Sequence, residues 1–338
     1  MAHLPPIGSP PVGAFRFNDE TNMMEYYNGN EWMNITSTSP DVHTGGTRGV
    51  GMGGYTGSAL VDIIEYVQIN TTGNTTDFGN LAAGNYEAAA LGSRTRGIYW
   101  GGGPTPTTIQ YITFASTGNS ATFGTCANNS QSTGLSDATR GISIGGWNSP
   151  TAINTIEYIT IAATGNAVDF GDMEVARRQT AAFASPTRGV FGGGSPMTNS
   201  IDYITIATTG NSATFGDLDA ARQSACSASN AIRGVFAGGD GPSLPAVTNS
   251  IEYITIPTLG NGIDFGDLTI AHSFVIDGGA SSPTRAIFMG GYANPGPAAT
   301  DMIDYVEIMT TGNATDFGNL SGNRNRVAAC SNGHGGLG

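Results

Sequence analysis

A Tyr and a Phe twelve positions apart occur six times in this chain: Tyr66 and Phe78, Tyr111 and Phe123, Tyr158 and Phe170, Tyr203 and Phe215, Tyr253 and Phe265, Tyr305 and Phe317. The fourth copy reads ITIATTGNSATFGDL from Ile204 to Leu218, and no copy gains or loses a residue between its aromatics. A length of 338 residues would ordinarily suggest two or three domains. A repeat of roughly 48 residues argues instead for one array of like units, each burying its apolar faces on its neighbours.

Within one copy, Ile201, Tyr203, Ile204 and Ile206 mark a strand, Thr209-Gly210-Asn211 a turn, and Ala213-Thr214-Phe215 a second strand. Two strands and a minimal turn cannot accept an insertion without shifting register and turning the core face outward, which explains the constant spacing of twelve. Upstream lies a second block carrying Arg48, Arg96, Arg140, Arg188, Arg233 or Arg285, followed by apolar residues and a double glycine. Before it runs a stretch of small residues, such as Thr180 to Ser185, suited to an innermost strand where several sheets converge. The 51 glycines and the abundance of Thr, Ser, Asn and Ile predict short strands, tight turns and almost no helix. Each repeat therefore reads as four strands: small-residue, Arg, Tyr and Phe.

Four antiparallel strands with a double glycine after the second describe a β-propeller blade. The pattern resembles the Kelch repeat over residues 44–338, with Phe where Kelch repeats place Trp and with Arg177 or Arg222 at the later Arg. The expected fold is all-β, a six-bladed Kelch-like propeller. The chain ends in a solitary inner-strand sequence, Arg326 to Ser331, and the first repeat enters at its Arg strand. The C-terminal strand is thus expected to complete the first blade and to leave no open edge. The Kelch resemblance speaks to fold, not to activity.

Residues 1–43 stand outside the repeat. Within them, 13–35 alternate apolar and polar positions through Phe15, Phe17, Tyr26, Tyr27 and Trp32, with an Asn28-Gly29 turn, and predict a small β-meander. Such a segment cannot bury a core alone and must pack on something. It resembles a short module near the N-terminus of bacteriophage tail-fibre and appendage proteins, on Gly13, Arg16, Asn18, Glu25, Tyr26, Tyr27, Gly29 and Trp32. The repeats, with TTGN, DFG, SPTRG and GGG, resemble those of structural proteins of marine bacteriophages, especially phages of cyanobacteria. These resemblances imply a virion protein assembled in the host cytoplasm and released by lysis. They imply attachment to other virion proteins through the N-terminal segment, and a homo-oligomer, with a trimer favoured.

The net charge of −13, from 26 acidic residues against 13 arginines and no lysine, repels phosphate backbones and argues against nucleic acid as a partner. No apolar run approaches a membrane span, and the start, MAHLPPIGSPP, does not read as a signal peptide. Cys126, Cys226 and Cys330 fit no zinc spacing and read as small core residues. Four scattered histidines, His3, His43, His272 and His334, supply no metal set. The acids before Phe (Asp77, Asp169, Asp264, Asp316) give way to Thr122 and Thr214, as expected of turn-supporting hydrogen bonds and not of a catalytic ring. The acids beside Tyr (Glu65, Glu157, Asp202, Glu252, Asp304), interrupted by Gln110, read as structural bridges. No catalytic residue, cofactor or metal is expected. A glycan-processing or oxidising enzyme on a Kelch scaffold is the disfavoured alternative.

The Arg-to-Tyr spacing is 18, 15, 18, 15, 20 and 20, so variation gathers between the second and third strands. Those loops hold Tyr55, Pro104, Trp147, Pro242 and Tyr292, with Pro106, Pro150, Pro245 and Pro295 nearby. They predict a binding face for a host-surface glycan or receptor, or for a neighbouring virion protein. A tail fibre or appendage is the leading expectation, and an architectural head or neck decoration protein the alternative. The repeated arginines are expected to make structural hydrogen bonds between blades.

Overall fold

The computed structural model describes residues 10–18, 23–34, 47–127, 129–242, 247–274, 278–294 and 298–338. The chain divides into two units, Met1–Gly45 and Gly46–Gly338. Among the described residues, helix is confined to one 3-10 turn, Gly335–Leu337.

The first unit holds a three-stranded antiparallel meander, Phe15–Asn18, Met23–Tyr27 and Trp32–Asn34. Arg16 Nε donates to Glu25 Oε2 at 2.6 Å and its guanidinium lies over the Trp32 ring, which packs at 5.5 Å on Tyr27. Register sets Phe15 beside Tyr26, Tyr26 beside Met33, and Phe17 beside Met24, and all five are exposed. The sequence suggests a two-residue Asn-Gly hairpin, but the connection is the longer Asn28–Glu31. There the Asn28 side chain accepts the amides of Asn30 and Glu31. The sequence also predicts a turn near Asn18-Asp19; Asn18 ends the first strand, and residues 19–22 lie outside the described residues.

The second unit is all-β, made of antiparallel sheets in which four strands recur in the order small-residue, Arg, Tyr, Phe, consistent with a propeller-like fold. The fourth sheet is representative: Ala181–Ala184, Arg188–Gly192, Thr198–Thr205 and Ala213–Arg222. The first sheet takes its small-residue strand from the other end of the chain. Ala328–Ser331 pairs with Arg48–Met52, Ser331 facing Gly49. In the sixth sheet, built on Arg285–Met289, two short strands, Ala271–Ser273 and Tyr292–Asn294, extend the pairing. Small-residue strands of successive sheets touch in turn, and Ala328–Ser331 touches both Gly279–Ser281 and Ala89–Gly92.

Three contacts tie each sheet to the next. The connection after the Tyr strand is longer than a tight hairpin turn, and its Thr-Gly-Asn reaches the preceding sheet. There Gly210 N donates to Phe170 O at 2.8 Å, and Asn211 accepts the amide of Asp172 at 3.0 Å. The same pair of bonds recurs at every junction, including Gly73 with Phe317 and Asn74 with Asn319, at the ends of the chain. The glycine after each Phe lies beneath this loop, so that a Cβ on Gly216 would run into the Gly260 carbonyl. Constant spacing therefore reflects reach to a neighbour as well as register. The Phe itself sits at a register shift and meets its Tyr edge-on at 6.0 to 6.2 Å.

The repeated arginines make the second contact. Arg96, Arg140, Arg188, Arg233 and Arg285 lie over Tyr111, Tyr158, Tyr203, Tyr253 and Tyr305 and donate to the carbonyls of Ile161, Ile206, Ile256, Ile308 and Ile69 in the following sheet. Arg48 lies over Tyr66 and donates to Phe114 O.

The third contact runs between the small-residue strands, where Ser136, Ser229, Ser281 and Ser331 donate to the carbonyls of Gly92, Ala184, Ser229 and Ser281 at 2.6 to 2.9 Å. A cavity of about 50 Å3 lies among these strands, with His334 in its lining. His334 Nε2 is 2.7 Å from Gly92 O, and Arg94 donates to Leu337 O at 2.7 Å, so the C-terminal residues lie over one end of the strands.

Candidate functional site

Strand direction gives the sheets two unlike ends. At one end lie the Thr-Gly-Asn loops and the turns before each repeated Arg. These turns are uniform: a side-chain oxygen of Ser93, Asp137, Ser185, Asn230 or Ser282 accepts the amide of the Arg three residues on. In the first sheet Asn332, from the far end of the chain, serves Arg48 at 2.8 Å. At the other end lie the loops after the double glycines and the connections from one sheet to the next.

The double glycines open that second end. In Gly193-Gly194 the φ values are +65° and +115°, a conformation that side chains resist, and a Cβ on Gly194 would meet Thr180 and a backbone carbonyl. The connection then lies against the loop. Bridges join Tyr55 with Asn325, Trp147 with Ser130, Ser195 with Arg178 and Asp240 with Gln223, and Tyr292 pairs with Ser273. Tyr55, Trp147 and Tyr292 thus occupy equivalent positions, half-buried and held by backbone pairing, not on free loop tips. Where the second sheet has Gly103, Tyr86 from the connection covers it, and Tyr86 packs on Tyr55 at 6.3 Å. Pro104 and Pro242 are exposed nearby. Pro245 and Pro295 lie outside the described residues.

Each connection also sends a side chain inward. Arg177, Arg222 and Arg324 are buried, form ion pairs with Asp202, Glu252 and Glu65, and donate to the carbonyls of Gly193, Gly238 and Gly53. Asn85 and Asn129 occupy the same position and donate to Gly101 and Gly145. The residue beside Tyr accepts a backbone amide from the preceding connection: Ala82 to Gln110, Ala127 to Glu157, Asp219 to Glu252, Thr269 to Asp304, and Ser321 to Glu65. Two acids have no buried arginine at the corresponding connection position, which Asn129 and His272 occupy. Burial raises the Glu157 and Asp304 carboxyls, and the facing Asp169 and Asp316 raise them further. The acids before Phe stand within the Phe strand, exposed, instead of at a turn.

His272 is buried, and desolvation pulls its pKa down to about 4. His3 and His43 lie outside the described residues. Among the described residues no three His, Cys, Asp or Glu side chains gather as a metal set. Burial pushes the Cys126 and Cys330 thiols up to about 12, which makes them poor nucleophiles. No helix among the described residues is long and apolar enough to cross a membrane.

The sequence reading missed a polar chain at the loop end. The Arg178 guanidinium lies over Trp147 at 4.2 Å and donates to Gln131 Oε1 at 2.8 Å. Gln131 Nε2 donates to Glu87 at 2.9 Å, and Glu87 pairs at 3.0 Å with Arg326, which lies over Tyr86 and Tyr55. Glu87, Gln131, Gln179, Ser224 and Arg326 all have φ between +55° and +59°. Amide-to-carbonyl bonds run from Gln131 to Glu87, Gln179 to Gln131, and Ser224 to Gln179. The connections vary in sequence, so their shared backbone shape left no motif. Comparison with protein-family models and with curated proteins gives no match for this chain.

Proposed function

We propose that this chain is a non-enzymatic structural protein of a bacteriophage virion, a tail-fibre or appendage component. In this reading the six sheets are the blades of a closed Kelch-like β-propeller shut by Ala328–Ser331. The N-terminal segment joins the chain to other virion proteins, and copies associate, as a trimer on the fibre resemblance. The loop end meets a host-surface glycan or receptor.

One observation carries the reading: the two ends of the sheets are unequal. Contacts at the turn end repeat from sheet to sheet and hold the array together, whereas side chains that occur once, among them Trp147, Tyr292 and Arg178, gather at the loop end. A rigid frame with one variable aromatic face suits recognition. Closure is supported by the junction between the chain ends, where Gly73 meets Phe317, Arg285 meets Ile69 and Asn332 meets Arg48 as their counterparts do elsewhere. The virion assignment rests on the resemblance of the repeats and of the N-terminal module to phage proteins.

The test is attachment of particles carrying Trp147→Ala with Tyr292→Ala. Reduced binding to host cells at normal incorporation is expected. Normal attachment with impaired particle assembly would favour the head or neck decoration role. Particles lacking residues 1–36 of this protein should fail to incorporate it although it folds, and normal incorporation would place the anchor elsewhere.

A further inference from the structure

Thirteen arginines supply all the side-chain cations other than histidine in a chain of net charge −13, and most are committed to architecture. Six bind a neighbouring sheet's carbonyl, three are buried in ion pairs, Arg94 holds the C-terminal carbonyls, and Arg16 pairs with Glu25. The remaining two, Arg178 and Arg326, both lie at the loop end, half-exposed, and each lies over aromatic rings. They are the two ends of the chain Arg178, Gln131, Glu87, Arg326, so one hydrogen-bonded unit fixes their separation.

We propose that this unit, resting on the loop-end recognition reading above, binds a saccharide bearing a carboxylate, a uronic-acid type residue of a surface glycan. A guanidinium lying over a ring keeps its N–H edge free to meet a carboxylate in the plane of the fork. The Glu87 carboxylate is buried and engaged by Arg326 and Gln131, which leaves the Arg178 end as the stronger anion site. Tyr55, Tyr86 and Trp147 remain half-exposed around the arginines and offer the apolar ring faces on which sugars stack. The surrounding negative charge disfavours a polyanion, whereas a sugar carries one carboxylate among several neutral hydroxyls. An acidic peptide fits less well for the same reason.

The full chain is titrated calorimetrically with a maltooligosaccharide ending in a single glucuronate, with neutral maltooligosaccharide and with polyglutamate, at low and high salt. The glucuronate-ended oligosaccharide is expected to bind, to weaken with salt and to shift Trp147 emission, while the neutral maltooligosaccharide does not bind measurably. Arg178→Gln and Trp147→Ala should each weaken binding about tenfold or more, about 1.4 kcal/mol. Arg178→Lys, which keeps the charge but loses the fork, should lose most of that affinity too, and serves if Arg178→Gln does not fold. Polyglutamate binding as tightly, and surviving Trp147→Ala, would overturn the saccharide in favour of an acidic protein partner. No binding of the glucuronate-ended oligosaccharide, or binding indifferent to these substitutions, would also overturn it. Host attachment scored separately on Trp147→Ala with Tyr292→Ala particles distinguishes the failures. Lost attachment without uronate binding leaves the loop-end reading standing and removes only this ligand.

Discussion

Arginine and histidine stand at the same connection position in different repeats, and their protonation gives them different consequences. The buried arginines compensate buried acids, and removing one partner of such a pair strands a charge, at a cost of about 3 to 5 kcal/mol. Arg222→Ala should therefore lower denaturant stability by that much, and a compensating Glu252→Leu should recover most of it. His272 behaves oppositely to a salt-bridged base: its folded pKa of about 4 lies below the ordinary 6.5, so the native state keeps it neutral. Its contribution is fully present above about pH 6.5 and is lost as pH falls toward 4, about 3 kcal/mol in all. Unfolding followed across that window should steepen in the native chain and flatten in His272→Asn. Glu157 and Asp304 act with the reverse sign, since raised carboxyl pKa values cost stability as pH climbs through the carboxylate range. The regularity of Arg48 and its five counterparts was legible in the sequence because one phase per repeat is what packing symmetry produces. The Arg–acid pairs were not, because their partners come from different repeats and are replaced by Asn or His in half of them.

At the scale of strands and turns, the fifteen-residue repeat is a joint between sheets. Gly216 has no room for a methyl group beneath the Gly260 carbonyl, so Gly216→Ala should force the neighbouring loop away and break the Gly260 to Phe215 bond. A loss of about 1 to 3 kcal/mol in a thermal or denaturant melt is the expected cost. Arg188→Ala should cost about 2 kcal/mol by removing a charged hydrogen bond to Ile256 O and a stack on Tyr203, while binding at the loop end stays unchanged. Lost binding at unchanged stability would move Arg188 from frame to site. Strand order and the double-glycine turns could be read from side-chain periodicity and glycine spacing. What could not be read was that Thr-Gly-Asn closes on another sheet, because local sequence describes a turn equally well whichever sheet it faces. The loop-end residues were found for a similar partial reason: aromatic residues in variable loops stand out, but Arg178, Gln131, Glu87 and Arg326 meet only through the array.

At the scale of the whole second unit, closure depends on the two ends of the chain meeting. Deleting residues 332–338 should remove the Asn332 cap on Arg48 and the His334 contact, lowering the melting temperature while the sheets persist. Deleting from residue 327 removes the strand that covers Arg48–Met52 and exposes an edge open to aggregation, so folded, monodisperse protein should be lost. The most direct test of closure is amide hydrogen exchange at the six equivalent glycines, Gly73, Gly118, Gly165, Gly210, Gly260 and Gly312, each donating to the carbonyl of a Phe in the preceding sheet. A closed ring predicts that Gly73, whose partner Phe317 lies at the far end of the chain, is protected as strongly as the other five. Exchange at Gly73 orders of magnitude faster than at Gly118 through Gly312 would show an open seam and contradict the account.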